Sequence, residues 1–281
     1  MNSQVGKERN VQLFTSLRTA IYDNVNISRK HLGNIKFTYL YDNFPRETNE
    51  RKKFKDKLRE ECWLFGISNY DDSSALVALG LHALQHRGKE GAGIVTFDGK
   101  NFNGVRAQGL VSNTFNKKEI IEQLPGKNAV GHVRYSTQGE SIEKNIQPLF
   151  ADLAAGGFAC AHNGNLINAM EIRKELIAKG AIFQTTSDTE TILQLVALSR
   201  KKLLKDKLID ALKKIKGAYS LVILTNKKLI GVRDPFGIRP LVLGIKDGSY
   251  VLASETCLLY TSPSPRDQRG SGMPACGWKK K

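Results

Sequence analysis

Between residues 62 and 257, short apolar runs of strand character are interleaved with amphipathic stretches of helical length. Their order is irregular, with strands in runs and helices in pairs. A regularly wound parallel sheet needs strict strand–helix alternation. The irregular order therefore favours an α+β fold, with mainly antiparallel sheet covered by helices. Residues 63–67 suit a buried strand, and Ser73 or Ser74 can cap a helix carrying Leu76, Leu79, Ala83 and Leu84. Residues 92–97 and 105–108 read as strands joined through a turn at Asp98-Gly99. Residues 129–135 and 157–161 read as buried strands that end in polar residues. Helices are expected over 168–179, closing at Gly180, over 187–199, and over 205–216, ending at Gly217. The second of these opens on Ser187-Asp188-Thr189-Glu190, the pattern of a capping box. Residues 218–225, 228–233, 240–244 and 250–253 follow as strands, with Asn226 marking a tight turn.

The flanks differ in texture. Residues 1–61 are polar with weak periodicity and read as a poorly ordered extension or propeptide. Residues 258–281 are rich in Pro, Ser, Gly and Lys and read as a disordered, non-native tail. The formal charge is +16, divided as +5 over 1–61, +7 over 62–257 and +4 over 258–281. More than half of the excess thus lies in the flanks, and the basic runs beside the helices read as solvated faces. A nucleic-acid-binding surface needs a basic stripe with interleaved aromatics, which this division does not give. No 18-residue apolar run is present, and the amino end lacks a secretory signal, so the chain is expected to be cytoplasmic. Four scattered cysteines give neither a disulfide framework nor zinc spacing. There is no GxxxxGK[ST] loop, and the glycine cluster at 88–93 precedes a strand instead of following one.

Five polar clusters fall at strand ends or helix starts: Glu61-Cys62, residues 85–88, residues 131–137, residues 161–165 and residues 186–190. Singly, each has a plain structural explanation. His132 and His162 could be satisfied core histidines, Asn163-Gly164 a turn pair, and Asp188 a capping residue.

Together they resemble the glutaminase domain of the glutamine amidophosphoribosyltransferase family, within the class II, N-terminal-nucleophile amidotransferases. The resemblance runs over about 195 residues and rests on LQHRGKEGAG (84–93), GLVS (109–112), GHVRYSTQG (131–139), AHNGNL (161–166), TTSDTE (185–190) and RDPFGIRPLVLG (233–244). It implies a four-layer αββα sandwich with two mainly antiparallel sheets over 62–257. It also implies that Cys62 is the nucleophile, with its own free α-amine as general base, an amine whose pKa near 8 suits neutral pH. The Asn163 side chain and the Gly164 backbone N–H would form the oxyanion hole. Arg134 would grip the substrate α-carboxylate, Asp188 would accept from its α-ammonium, and Arg87 would belong to the same wall. The substrate implied is L-glutamine, as ammonia source for making 5-phosphoribosylamine from 5-phosphoribosyl 1-diphosphate at the start of purine biosynthesis. No cofactor is expected in this chain. Magnesium belongs to a phosphoribosyltransferase domain that the sequence lacks, and an iron–sulfur cluster is not expected from Cys257 alone. Homo-oligomers would arise through the full-length enzyme. Alternatives are another class II amidotransferase, such as glucosamine-6-phosphate synthase, or a fragment that only binds glutamine.

Three features depart from the family pattern. Sixty-one residues precede Cys62, and no methionine lies between Met1 and Met170, so cleavage after Glu61 would be needed to free the amine. Trp63 stands where the family has glycine, and its indole must enter either the substrate pocket or the packed sheet. The indole beside Cys62 is expected to misplace the nucleophile, so that a chain freed at Cys62 is weakly active and Trp63→Gly speeds it by roughly two orders of magnitude. The resemblance also stops at Cys257, so phosphoribosyltransferase activity is not expected from this chain.

Overall fold

The computed structural model describes residues 62–83, 85, 90–134 and 143–255, together with the backbone of 11–14. Among these residues the strands form two sheets. One has six strands: β2 (Trp63–Ser68), β3 (Gly91–Phe97), β4 (Phe102–Gln108), β5 (Asn128–Arg134), β10 (Val242–Lys246) and β11 (Ser249–Ala253), in the order β10-β11-β2-β5-β3-β4. The other has five: β1 (Val11–Phe14), β6 (Leu149–Leu153), β7 (Gly156–Leu166), β8 (Gly217–Thr225) and β9 (Leu229–Arg233), in the order β1-β9-β8-β7-β6. Every pairing is antiparallel except β1 with β9, which runs parallel. The polar segment before Cys62 therefore contributes an edge strand that the sequence did not signal. The tail from residue 258 lies outside the described residues.

Helix α1 (Ser73–Ala83) covers β2, β3 and β5 of the six-stranded sheet. Helix α5 (Asp188–Leu198) covers β6 and β7 of the other, with α4 (Ala169–Ala178) and α6 (Leu204–Leu212) packed on α5. The two sheets stack through β2 and β5 against β7 and β8. This is the expected four-layer αββα arrangement. Two short helices, α2 (Val111–Thr114) and α3 (Lys118–Glu122), and strand β6 were not anticipated.

Side-chain alternation along each strand sorts residues between the layers. Leu64, Val95, Val130, Ala159, Ala161, Val222, Leu224 and Leu252 form the apolar layer between the sheets. Phe65, Ile67, Ala129 and Val133 face α1 with Val77 and Leu81, while Phe158, Cys160, Leu221 and Ile223 pack with Ile192 and Val196 of α5. Gly131 permits the close approach of α1, since a Cβ there would collide with Val77 and Leu81.

Two loops are tied by buried carboxylates. Asp234, fully buried, accepts from the backbone N–H groups of Phe236, Ile238 and Arg239, and Arg233 donates to the carbonyls of Gly237 and Arg239. Glu190 accepts from the N–H groups of Gln184 and Thr185 and from the Thr185 hydroxyl. The reciprocal capping box is therefore not formed. Ser187 still caps α5 through the Thr189 N–H (3.3 Å), but Glu190 reaches back to the incoming loop, whose N–H groups are otherwise the more costly to leave unpaired.

Trp63 takes the second of its two possible places. It is fully buried in the cluster with Phe65, Ile67, Leu76, Val77 and Leu81, on the α1 side of the sheet and away from the layer between the sheets. The expectation that the indole crowds a pocket beside Cys62 is thereby corrected, because adjacent residues of a strand point to opposite faces. Trp63→Gly should then act as a large-to-small core change. We expect it to lower the unfolding free energy of the chain by about 3–5 kcal/mol. Urea denaturation checks this, and an unchanged midpoint would remove Trp63 from the core.

Candidate active site

The site residues named from the sequence fall where the strands leave the inter-sheet layer. Cys62 directly precedes β2 and is half-buried. The β2–β5 ladder pairs Trp63 with Val133. Cys62 and Arg134, the half-buried last residue of β5, each lie one residue beyond that last registered pair. By alternation from Val130, Arg134 belongs to the inter-sheet face. Arg134 also pairs with Gly91 of β3, and its carbonyl accepts from the Glu90 N–H at 3.3 Å.

Asn163 and Gly164 come from the opposite sheet, on β7. Alternation from Ala159 and Ala161 turns Asn163 toward the inter-sheet layer, and the residue is 1% exposed. Its side-chain nitrogen Nδ2 has no hydrogen-bond partner among the described residues. Gly164 follows at φ +136°, a conformation that side chains resist, and a Cβ there would strike the Ala218 carbonyl. Only glycine lets the strand continue past Asn163 in this register.

Asp188 is the first residue of α5. One carboxylate oxygen, Oδ2, accepts from the Leu166 N–H at the end of β7 (3.0 Å), and the other, Oδ1, lies 3.4 Å from His162 Nδ1. Burial works to raise the Asp188 pKa, but His162 and the N–H groups of Leu166 and Thr189 outweigh it and hold the carboxyl below its ordinary range. A carboxylate at this helix N-terminus is also favoured by the helix dipole. Asp188 thus links β7 to α5 while keeping part of its side chain, 22%, open to solvent.

Asn145 holds the loop before α5 in place, donating to Thr186 Oγ1 and accepting from the Thr186 N–H. Gln147 extends the edge of β7 beyond β6 by accepting from the His162 N–H at 2.7 Å. Arg87 and Cys257 lie outside the described residues. Cys160 is buried under α5, and burial pushes its thiol above the usual range.

The histidines differ from the satisfied pair that the sequence suggested. His162 Nδ1 meets Thr189 Oγ1 at 3.1 Å, but its Nε2 and both ring nitrogens of fully buried His132 have no partner among the described residues. Burial, with repulsion from His162 and Arg134 added, lowers the His132 pKa to about 3. Ser220, paired with Asn163 across the β7–β8 ladder, is buried with its hydroxyl likewise unpaired. Its position alone is legible in the sequence, as a polar residue in an otherwise apolar strand.

Within an αββα sandwich, a cysteine and an arginine at the ends of neighbouring strands of one sheet, and an asparagine–glycine pair on the other sheet, fit a glutamine amidotransferase domain. Residues 132–261 match the family described as glutamine amidotransferase domain. The chain is 53% identical to the amidophosphoribosyltransferase of Rhizobium etli over 204 residues, covering 73% of this chain and 41% of that one. It is 47% identical to amidophosphoribosyltransferase 1, chloroplastic, of Arabidopsis thaliana over 231 residues, covering 79% and 41%. The solved structure of glutamine phosphoribosylpyrophosphate amidotransferase from B. subtilis, complexed with ADP and GMP, superposes with a TM-score of 0.66 at 42% identity. That match covers 70% of this chain and 43% of the other. The chain is similar to amidophosphoribosyltransferases through its glutamine amidotransferase domain and spans about two fifths of the length of the relatives it matches.

The buried histidine gives the site a pH signature. An unfolded histidine takes up a proton near pH 6.5, and His132 in the folded chain does so only near 3. As pH falls, the unfolded state therefore binds the proton first. The stability that neutral His132 contributes is complete above about 6.5 and is lost between there and about 3. The Asp188 contribution is present above 3.8 and is lost below that value. We expect His132→Gln to make the loss of thermal stability between pH 6.5 and 4.5 shallower, by up to roughly 1.4 kcal/mol per pH unit. Identical acid limbs for both proteins would mean that His132 protonates freely in the fold.

Proposed function

We propose that this chain carries the glutamine-hydrolysing half of an amidophosphoribosyltransferase. The observation that supports it most is the Asn163 carboxamide. It is buried on the inter-sheet face, its N–H donors are unpaired among the described residues, and it faces the sheet that carries Cys62. Unpaired buried donors on a sheet packed against the one that carries the cysteine suit a reaction in which negative charge develops on an oxygen.

In this reading Cys62 Sγ attacks the side-chain carbonyl carbon of L-glutamine, and the α-amine of Cys62 takes the thiol proton. Asn163 Nδ2 and the Gly164 N–H donate to the oxyanion. Collapse of the tetrahedral adduct expels ammonia, with the proton returned from the amine, and leaves a thioester. Water, deprotonated by the same amine, releases glutamate and regenerates the thiol. Arg134 holds the α-carboxylate in a bidentate grip, and Asp188 accepts from the α-ammonium through its open face. Arg87 is assigned to glutamine binding by the sequence resemblance. The ammonia then displaces diphosphate from 5-phosphoribosyl 1-diphosphate to give 5-phosphoribosylamine, the first committed step toward purines. Magnesium serves that second step in the remaining part of the family's enzymes. The reading needs no cofactor or iron–sulfur cluster in this chain, and includes a cytoplasmic location and assembly through the full-length enzyme.

A second reading, a chain that binds glutamine without hydrolysing it, is favoured by one fact. In this sequence the α-nitrogen of Cys62 is in a peptide bond with Glu61 and cannot act as a base. The two readings separate in one experiment. The full chain is expected to release no glutamate from glutamine, and a chain starting at Cys62 to release it with turnover. Cys62→Ala should abolish this turnover, and Asn163→Ala should lower kcat by about 10²–10³. Calorimetry should show tighter binding of L-glutamine than of glutaramic acid, which lacks the α-amine. Equal affinity would remove Asp188 from the site. Turnover by the full chain with Cys62 internal would sink the proposed mechanism.

A further inference from the structure

We propose that His132 and Ser220 are positioning residues for the Asn163 carboxamide, acting through a water molecule enclosed between the two sheets. The inference rests on the functional reading above only for its consequence; the arrangement itself is read from the fold.

Three buried side chains converge on one layer. On β5, Val130 belongs to the inter-sheet cluster while Ala129 and Val133 face α1, so His132 points between the sheets. Its neighbours in the ladder are Leu64 on β2 and Gly93 on β3. On the opposite sheet the main chain of His162 lies against the His132 ring, and Asn163 is the next residue. Ser220 pairs with Asn163, and paired residues share a face. Gln147 closes one side. A Cβ at Gly93 would strike its main chain, and its side chain accepts from the His162 N–H. His132 and Ser220 are fully buried and Asn163 is 1% exposed.

The donor and acceptor balance then favours a bridge. A neutral imidazole offers one N–H and one acceptor nitrogen; the His162 main chain lies within reach of the first, and the second finds no partner among the described residues. The Asn163 amide has two N–H donors. Stabilising one oxyanion uses one of them, and the other must be anchored or the amide can rotate out of alignment. The Ser220 hydroxyl, able to donate and accept, is unpaired beside it. A single water can accept from the second Asn163 N–H, donate to the acceptor nitrogen of His132 and donate to Ser220 Oγ. That satisfies the two to four partners a buried water needs. His132 does not touch substrate in this arrangement; it fixes the direction of the group that does.

The test uses the full 281-residue chain with ¹⁵N labelling and requires no activity. The side-chain amide resonances of Asn163 are assigned by their loss in Asn163→Ala. In the parent chain both protons should be protected from solvent exchange. His132→Leu and Ser220→Ala should each cut that protection by at least about fivefold, the change expected from one lost hydrogen bond. Backbone exchange of Leu221 to Leu224 should stay as in the parent, and His132→Gln, which keeps an acceptor, should restore most of the protection. If His132→Leu does not fold, Ser220→Ala and His132→Gln decide the matter. Unchanged Asn163 exchange in a folded Ser220→Ala chain would overturn the proposal. So would loss of protection only together with the β8 backbone, which would make His132 and Ser220 packing residues. A chain starting at Cys62 that releases no glutamate would count against the proposed function and would leave this exchange result standing.

Discussion

Two sheets are held face to face by a thin apolar layer, in which Leu64, Val130, Ala159, Ala161, Val222 and Leu252 are the main contacts. Small residues on β7 let the sheets approach, and the layer is only as long as the run of apolar inward positions. Where it ends, the inward positions become His132, Asn163 and Ser220, all shielded from water, and the half-buried Arg134. Low local dielectric strengthens whatever charge or hydrogen bond forms there and raises the cost of leaving one unmade. The site depends on this edge between an apolar seam and a polar one more than on any single residue.

Much of the fold is legible because buried strands must be apolar on both faces. The runs around Trp63–Ser68, Gly91–Phe97 and Gly217–Thr225 announce themselves for that reason. The limits of legibility are equally physical. Strand β7 was expected to stop at 161, since His162, Asn163 and Asn165 are poor strand formers. It runs on to Leu166 because β8 supplies a partner for every residue from Phe158 to Leu166. Strand β6 sits at a sheet edge, with Phe150 and Asp152 more open than their neighbours, and gave no continuous apolar run. Strand β1 gave no signal, because four residues in a polar segment acquire strand character only from their pairing with β9.

For the site, the sequence could name residue types but not their company. Motifs mark Cys62, Arg134, Asn163, Gly164 and Asp188, and the fold sets them just before β2, at the end of β5, toward the end of β7 and at the start of α5. That Trp63 faces away from Cys62 follows from strand alternation, but only once the strand is known to begin at Trp63. The unpaired state of His132 and Ser220 could not be read at all. It depends on which residues of a distant strand lie opposite, and no local pattern encodes that.

The double attachment of Asp188 has a consequence for how variants at this position are interpreted. Its carboxylate fastens the end of β7 to the first turn of α5 through the Leu166 N–H. A defect seen after Asp188→Ala would thus have two independent origins, a missing ligand contact and a slackened joint between two layers. Asp188→Asn separates them only in part, because the amide oxygen can still accept from Leu166 while the charge is gone. Any survey of inherited or engineered changes that scores Asp188 by activity alone will assign to chemistry what belongs partly to architecture.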